Sequence, residues 1–221
     1  MIRHHLSDAL LMGYSAGQLP EAFNLVVASH ISMCDECRAR LASFDAVGGA
    51  LLDASVDDLG ESDAAVPESS LAATMARIRA AGPVERTRPQ VAPRRGLLPA
   101  PLSRYVGGDL DAIRWKPVGG GVRQAILPTD KAASARLLFI PAGAAVPDHG
   151  HRGTELTLVL QGAFSDASDR FGPGDLEIAT AADEHSPVAE QGMDCICLAA
   201  TDAPLKFNTL LPRMLQPFLR I

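Results

Sequence analysis

The 221 residues predict a multidomain α + β chain: a helical domain over residues 1–81, a proline- and arginine-rich linker over 82–101, and an all-β domain over 102–221. Three observations carry that division. In the first part apolar residues recur at three- and four-residue intervals, as in helices with one buried stripe. The next stretch holds five prolines and four arginines with hardly any periodic apolar signal, so it is extended rather than coiled. Beyond it come short runs rich in Val, Leu and Ile, broken by Gly119-Gly120-Gly121, Pro141, Pro147, Gly162 and Pro173-Gly174, the texture of a β-sandwich or barrel.

Each helix has its own signals. Ser7 suits the N-cap of a first helix and Gly17 its stop. Pro20 and Glu21 suit the first turn of a second, where a fixed backbone angle and a negative charge are both favourable. Leu41, Phe44, Val47 and Leu51 predict a third helix with one buried stripe, ended by an acidic connector over 53–67. Ser69 or Ser70 caps a fourth, on which Leu71, Met75 and Ile78 share a face.

Composition narrows the function. Hydrophobic residues at 47%, charged residues at 21% and a mean hydropathy of +0.10 exclude wholesale disorder and a fibrous class. The longest apolar stretches, such as 156–160, fall far short of the ~20 residues that cross a bilayer. The first residues lack an apolar signal core, so a cytoplasmic protein with no membrane contact is expected. Residues 1–80 carry five Lys and Arg against eleven Asp and Glu, a net −6 that makes this part a poor ligand for polyanions. A basic protein is a better partner than a nucleic acid. Residues 81–104 carry five Arg against one Glu, and the remainder ten basic against fourteen acidic residues.

Two groups of residues have the chemistry of metal ligands. His30, Cys34 and Cys37 stand at i, i+4 and i+7, on one face if the segment is helical and equally convergent if it turns at 31–33. With His5 or His4 from upstream they form two thiolates and two imidazoles, the closed tetrahedral set of structural Zn²⁺. The second group is His149, His151, Glu155 and His185. His149 and His151, two apart on a strand, point to one side, and Glu155 lies an even number of positions further on. The frame around them is Gly143, five residues, His149-Gly150-His151, three residues, Glu155, six residues, Gly162. That frame resembles the first cupin motif at every spacing. Gly174-Asp175 and His185 resemble the second, although Thr180 and Ala182 replace the usual Pro and Gly. Three imidazoles and a carboxylate suit several divalent metals. Cys195 and Cys197 fall in an apolar run with both thiols on one side of a strand, candidates for redox sensing.

With these residues in view, the whole chain resembles the ChrR type of zinc-binding anti-sigma factor, a helical zinc-stapled domain of four helices joined to a C-terminal cupin, the double-stranded jelly-roll barrel. The likeness includes Ile2-Arg3-His4-His5, Leu19-Pro20-Glu21-Ala22-Phe23, Cys34-Asp35-Glu36-Cys37-Arg38-Ala39-Arg40, and the stretches 119–128, 146–152 and 194–204. The resemblance implies zinc ligands His5, His30, Cys34 and Cys37, which prefers His5 to His4. It implies a second divalent metal, Zn²⁺ by expectation, on His149, His151, Glu155 and His185. It further implies a 1:1 complex with an extracytoplasmic-function sigma factor, whose polymerase- and promoter-binding surfaces are hidden until photooxidative stress, singlet oxygen in particular, brings release and proteolysis. Leu71, Met75 and Ile78 would then form a partner-binding stripe, meeting a basic sigma factor on an acidic domain. The rival expectation is a cupin-type metalloenzyme, a dioxygenase or isomerase, with a structural zinc module at its N-terminus.

Overall fold

A computed structural model describes residues 1–58, 67, 69–81, 96–204 and 206–207. They fall into two compact units, one of Met1–Ala46 with Gly96–Ile221, the other Val47–Arg95. The boundaries differ from a division at 81 and 102 because the first helices pack on the β-domain.

In the first unit α1 spans Asp8–Ser15, and the Ser7 hydroxyl accepts the Leu10 N–H at 3.3 Å as its cap. Helix α2, Glu21–Ile31, follows Pro20 and buries Ala22, Phe23, Leu25, Val26, Val27, Ser29 and His30. The chain turns at 32–34 and α3 begins at Asp35, which selects the turned arrangement of the two open for His30, Cys34 and Cys37. Helix α3 runs on to Asp58, beyond the expected connector at 53, because 50–58 contain no Gly or Pro and four good helix formers in Ala50, Leu51, Leu52 and Ala54. Its stripe is buried only at the start. Leu41 is buried and Phe44 half-buried, whereas Val47 and Leu51 are 59% and 68% exposed, since the helix leaves the first unit after Ala46.

The second unit holds the rest of α3 and helix α4, Ser69–Ala80, which has no buried residue. Leu71, Met75 and Ile78 are 72%, 39% and 59% exposed. Residues 82–95 of the predicted linker lie outside the described residues. Its end, at Pro99, precedes α5, Ala100–Val106.

After a 3₁₀ turn at Leu110–Ala112 the chain is all β: β1 Lys116–Gly119, β2 Val122–Leu127, β3 Ser134–Ile140, β4 His149–Gly150, β5 Glu155–Gln161, β6 Phe164–Ser165, β7 Arg170–Phe171, β8 Leu176–Ala179, β9 Glu184–His185, β10 Val188–Ala189, β11 Cys195–Thr201 and β12 Lys206–Phe207. A six-stranded antiparallel sheet runs β1-β2-β3-β11-β5-β8, and two three-stranded sheets, β10-β6-β7 and β12-β4-β9, complete the barrel. Alternation divides its side chains between two cores. Leu137, Leu156, Leu158, Ile196 and Leu198 face outward into one core shared with α1, α2 and α5. Val159, Phe164, Cys195 and Cys197 belong to a second core inside the barrel. The central strands are therefore covered on both faces, which is why 156–160 and 195–200 read as unbroken apolar runs.

Candidate metal centres

At the N-terminal cluster the Cys34 Sγ lies 3.3 Å from His5 Nδ1, and Cys37 Sγ lies 3.3 Å from His30 Nε2 and 3.6 Å from His5 Nδ1. All four ligand atoms fall within 4.8 Å of one another. A tetrahedron with bonds of about 2.0 Å to nitrogen and 2.3 Å to sulfur has edges of roughly 3.3 to 3.8 Å, so the donor set fits one cation. The cluster ties the segment before α1 to the α2–α3 junction. His4 turns away, its Nε2 3.1 Å from Asp169, so the structure brings His5 and not His4 into the quartet. Burial, with His5 adding to it, holds His30 down at about 4, and burial pushes the Cys37 thiol up to about 11. A cation must therefore displace thiol protons but meets a neutral imidazole.

In the barrel, His149 and His185 stand opposite each other on β4 and β9. The Nε2 of His185 lies 3.2 Å from Nε2 of both His149 and His151, so three imidazoles aim at one point. Glu155, at the start of β5, stands beside this cluster rather than within it: its carboxylate is 3.7 Å from His151 Nδ1 and accepts the Thr157 hydroxyl at 3.1 Å. His149 Nδ1 faces the Pro147 carbonyl at 2.8 Å, which places a proton there and makes Nε2 the nitrogen turned toward the cluster with its lone pair. The turn before His185 lacks its expected Pro and Gly and is held instead by Asp183, which accepts from the Thr180 backbone and hydroxyl at 2.8 and 2.9 Å.

Two carboxylates behind His185 were not anticipated. Its Nδ1 lies 2.9 Å from Glu177 and 3.2 Å from Asp166, both buried side chains that fix the ring and its tautomer. Glu177 had a signal in sequence, a lone acid flanked by Leu176 and Ile178 on a barrel strand. Burial works against a charged His185, yet the hydrogen bond and charge of Glu177, with Glu155 and Asp166, raise it to about 9. Burial lowers His149 and His151. Because His185 is raised above 6.5, its proton stabilises metal-stripped protein fully below about 6.5 and ceases to do so as pH rises through about 9. Metal must displace it. With the N-terminal site already filled, Zn²⁺ uptake by the barrel at pH 7 is expected to release about one proton, and affinity to fall about tenfold per unit of pH drop. A pH-indicator titration checks this, and uptake without proton release would contradict it.

His149 and His185 border a cavity of about 350 Å³ lined largely by apolar side chains such as Val122, Leu138 and Ile140. Cys197 also lines it; its Sγ is 3.5 Å from that of Cys195, and both cysteines are buried. The Cys195 contact, then burial, raise the Cys197 thiol, so Cys197 is protonated and a weak nucleophile at neutral pH.

Comparisons with known proteins agree with this architecture. Residues 104–204 match the family described as ChrR cupin-like domain. The chain is 59% identical over 224 residues, covering 100% of it and 99% of the relative, to the anti-sigma-E factor ChrR of Cereibacter sphaeroides. It is also similar, at 58% identity and a TM-score of 0.75, to a chain in the crystal structure of Rhodobacter sphaeroides SigE in complex with the anti-sigma ChrR, over 91% of this chain and 100% of that one.

Proposed function

Because the chain belongs to the ChrR family of anti-sigma factors, we propose that it holds an extracytoplasmic-function sigma factor in an inactive 1:1 complex and frees it under photooxidative stress, singlet oxygen in particular. A regulator rather than an enzyme, it uses residues 1–81 as inhibitor, 82–101 as tether and 102–221 as sensor. The observation that carries this reading is the exposure of apolar side chains in the second unit: Val47, Leu51 and Leu52 on α3, and Leu71, Met75 and Ile78 on α4. Leu71, Met75 and Ile78, at i, i+4 and i+7 of one helix, form an apolar stripe of the kind a partner groove buries. The acidic balance of residues 1–80 complements a basic sigma factor, and no direct contact with DNA is needed.

In the N-terminal quartet, two thiolates and two imidazoles favour Zn²⁺ in a structural role. The barrel takes a second divalent cation, Zn²⁺ in this proposal, on His149, His151 and His185, with Glu155 able to join by a small movement. Such a site with open coordination beside a cavity is suited to sensing. Cys195 and Cys197 are the accompanying redox candidates, and a protease completes release. No helix among the described residues is long and apolar enough to cross a membrane. A cytoplasmic location follows from the proposed partner.

The sensor assignment is tested with His149→Ala and Glu155→Ala. Both are expected to silence the sigma-dependent promoter as the natural chain does but to blunt its induction when a photosensitiser generates singlet oxygen. Full induction in both variants, read with a transcriptional reporter, would remove the barrel metal from the sensing step.

A further inference from the structure

The segment that leads to one ligand of the N-terminal quartet, His5, is bonded to a single turn of the barrel. The turn 172–175 joins β7 to β8, and its Asp175 is 4% exposed. One carboxylate oxygen of Asp175 accepts the backbone N–H of Arg3 at 2.6 Å and of His4 at 3.0 Å, while the other accepts the Gly172 N–H at 2.8 Å. The His4 carbonyl in return accepts the Leu176 N–H at 3.2 Å. The two residues before His5 are thus bonded to the barrel through backbone groups on both sides of the Arg3–His4 segment. Gly174 closes the contact. It has φ +88°, and a Cβ there would stand 2.6 Å from the Ile2 side chain and 3.7 Å from that of Met33, which lies in the α2–α3 turn.

We propose that the β7–β8 turn is part of the outer shell of the helical metal site, with Asp175 a positioning residue that sets His5 through the backbone of Arg3 and His4 while Gly174 leaves room for Ile2 and Met33. The physical reason is that a coordinating imidazole binds tightly only when its ring is held on the metal axis, and removing outer partners commonly lowers affinity by about 10- to 100-fold. Here the backbone leading to one ligand is held by a residue some 170 positions away in sequence. The turn leads into β8, whose Glu177 orients His185, so this turn and the strand it opens stand behind both candidate centres. This rests on the reading of His5, His30, Cys34 and Cys37 as a metal site.

The test uses the full chain loaded with Co²⁺, whose thiolate-to-metal absorption reports only the Cys34 and Cys37 site, and follows loss of that band on adding a chelator. Asp175→Asn keeps the shape of the side chain but turns one acceptor into a donor facing Gly172. Arg3→Pro removes the N–H that meets Asp175, and with it the exposed Arg3–Asp169 ion pair, while every barrel residue is kept. Both are expected to lose cobalt at least about tenfold faster than the natural chain while keeping a native circular dichroism spectrum. Should Asp175→Asn fail to fold, Arg3→Pro decides alone. Rates within about twofold of the natural chain in the folded variants would overturn the positioning role and leave the metal site standing. Absence of the thiolate band in the natural chain would instead remove the metal reading, and this inference with it.

Discussion

Cys37→Ser is expected to yield a chain that has lost the N-terminal metal and no longer forms a stable complex with its sigma factor. Cys37 is 0% exposed, and its sulfur is the atom that approaches both imidazoles, 3.3 Å from His30 and 3.6 Å from His5. Serine supplies a shorter, harder oxygen with a far higher pKa, which does not bind as an alkoxide at neutral pH. Structural zinc sites contribute about 10–16 kcal/mol in apparent binding free energy, comparable with the ~5–15 kcal/mol total stability of a domain. Losing one ligand of four therefore removes much of what holds the segment before α1 to the α2–α3 junction. Elemental analysis should show one zinc fewer per chain, and co-purification should recover little sigma factor. A Cys37→Ser chain that still silences the sigma-dependent promoter would show the metal to be dispensable.

Leu71→Asp is expected to weaken the sigma complex by about 2 kcal/mol or more, roughly 30-fold in Kd, without altering thermal unfolding of the free chain. The two effects separate because the side chain is 72% exposed, so folding alone gains little from it. On a partner, the same leucine with Met75 and Ile78 would be buried as one stripe, and a carboxylate placed there would be desolvated without a hydrogen-bonding partner. Calorimetric titration of the purified pair reads the change. An unchanged Kd for Leu71→Asp, Met75→Asp and Ile78→Asp alike would move the binding face elsewhere on the molecule.

Much of the site was legible in the sequence because metal ligands are chemically distinctive. His30, Cys34 and Cys37 could be brought together by spacing whether the chain turned or not, and the turn at 32–34 only selects between two arrangements with the same outcome. His149, His151 and His185 likewise follow from the motif and converge as expected. Spacing left His4 and His5 undecided; the resemblance preferred His5, and the structure shows why, since His4 is occupied with Asp169 and Asp175.

What was not legible depends on long-range packing. An acidic segment was expected to end α3, but acidity alone does not break a helix, and α3 reaches Asp58. The packing of α2 on the barrel left only an indirect trace, the unbroken apolar runs of β5 and β11, which report strands covered on both faces. Asp175 appears in sequence as an ordinary turn residue beside Gly174. Its bonds to Arg3 and His4 become visible only when distant parts of the chain are placed together.

Capture of the sigma factor by a metal-held helical module can be judged by purifying the full chain with the sigma factor encoded beside its gene and removing zinc by graded chelation. Light scattering after size exclusion, paired with elemental analysis of each fraction, reads complex and metal together. The 1:1 complex should dissociate in step with loss of zinc from the Cys34 and Cys37 site. A complex that persists undiminished after that zinc has gone would contradict the proposed role of the metal.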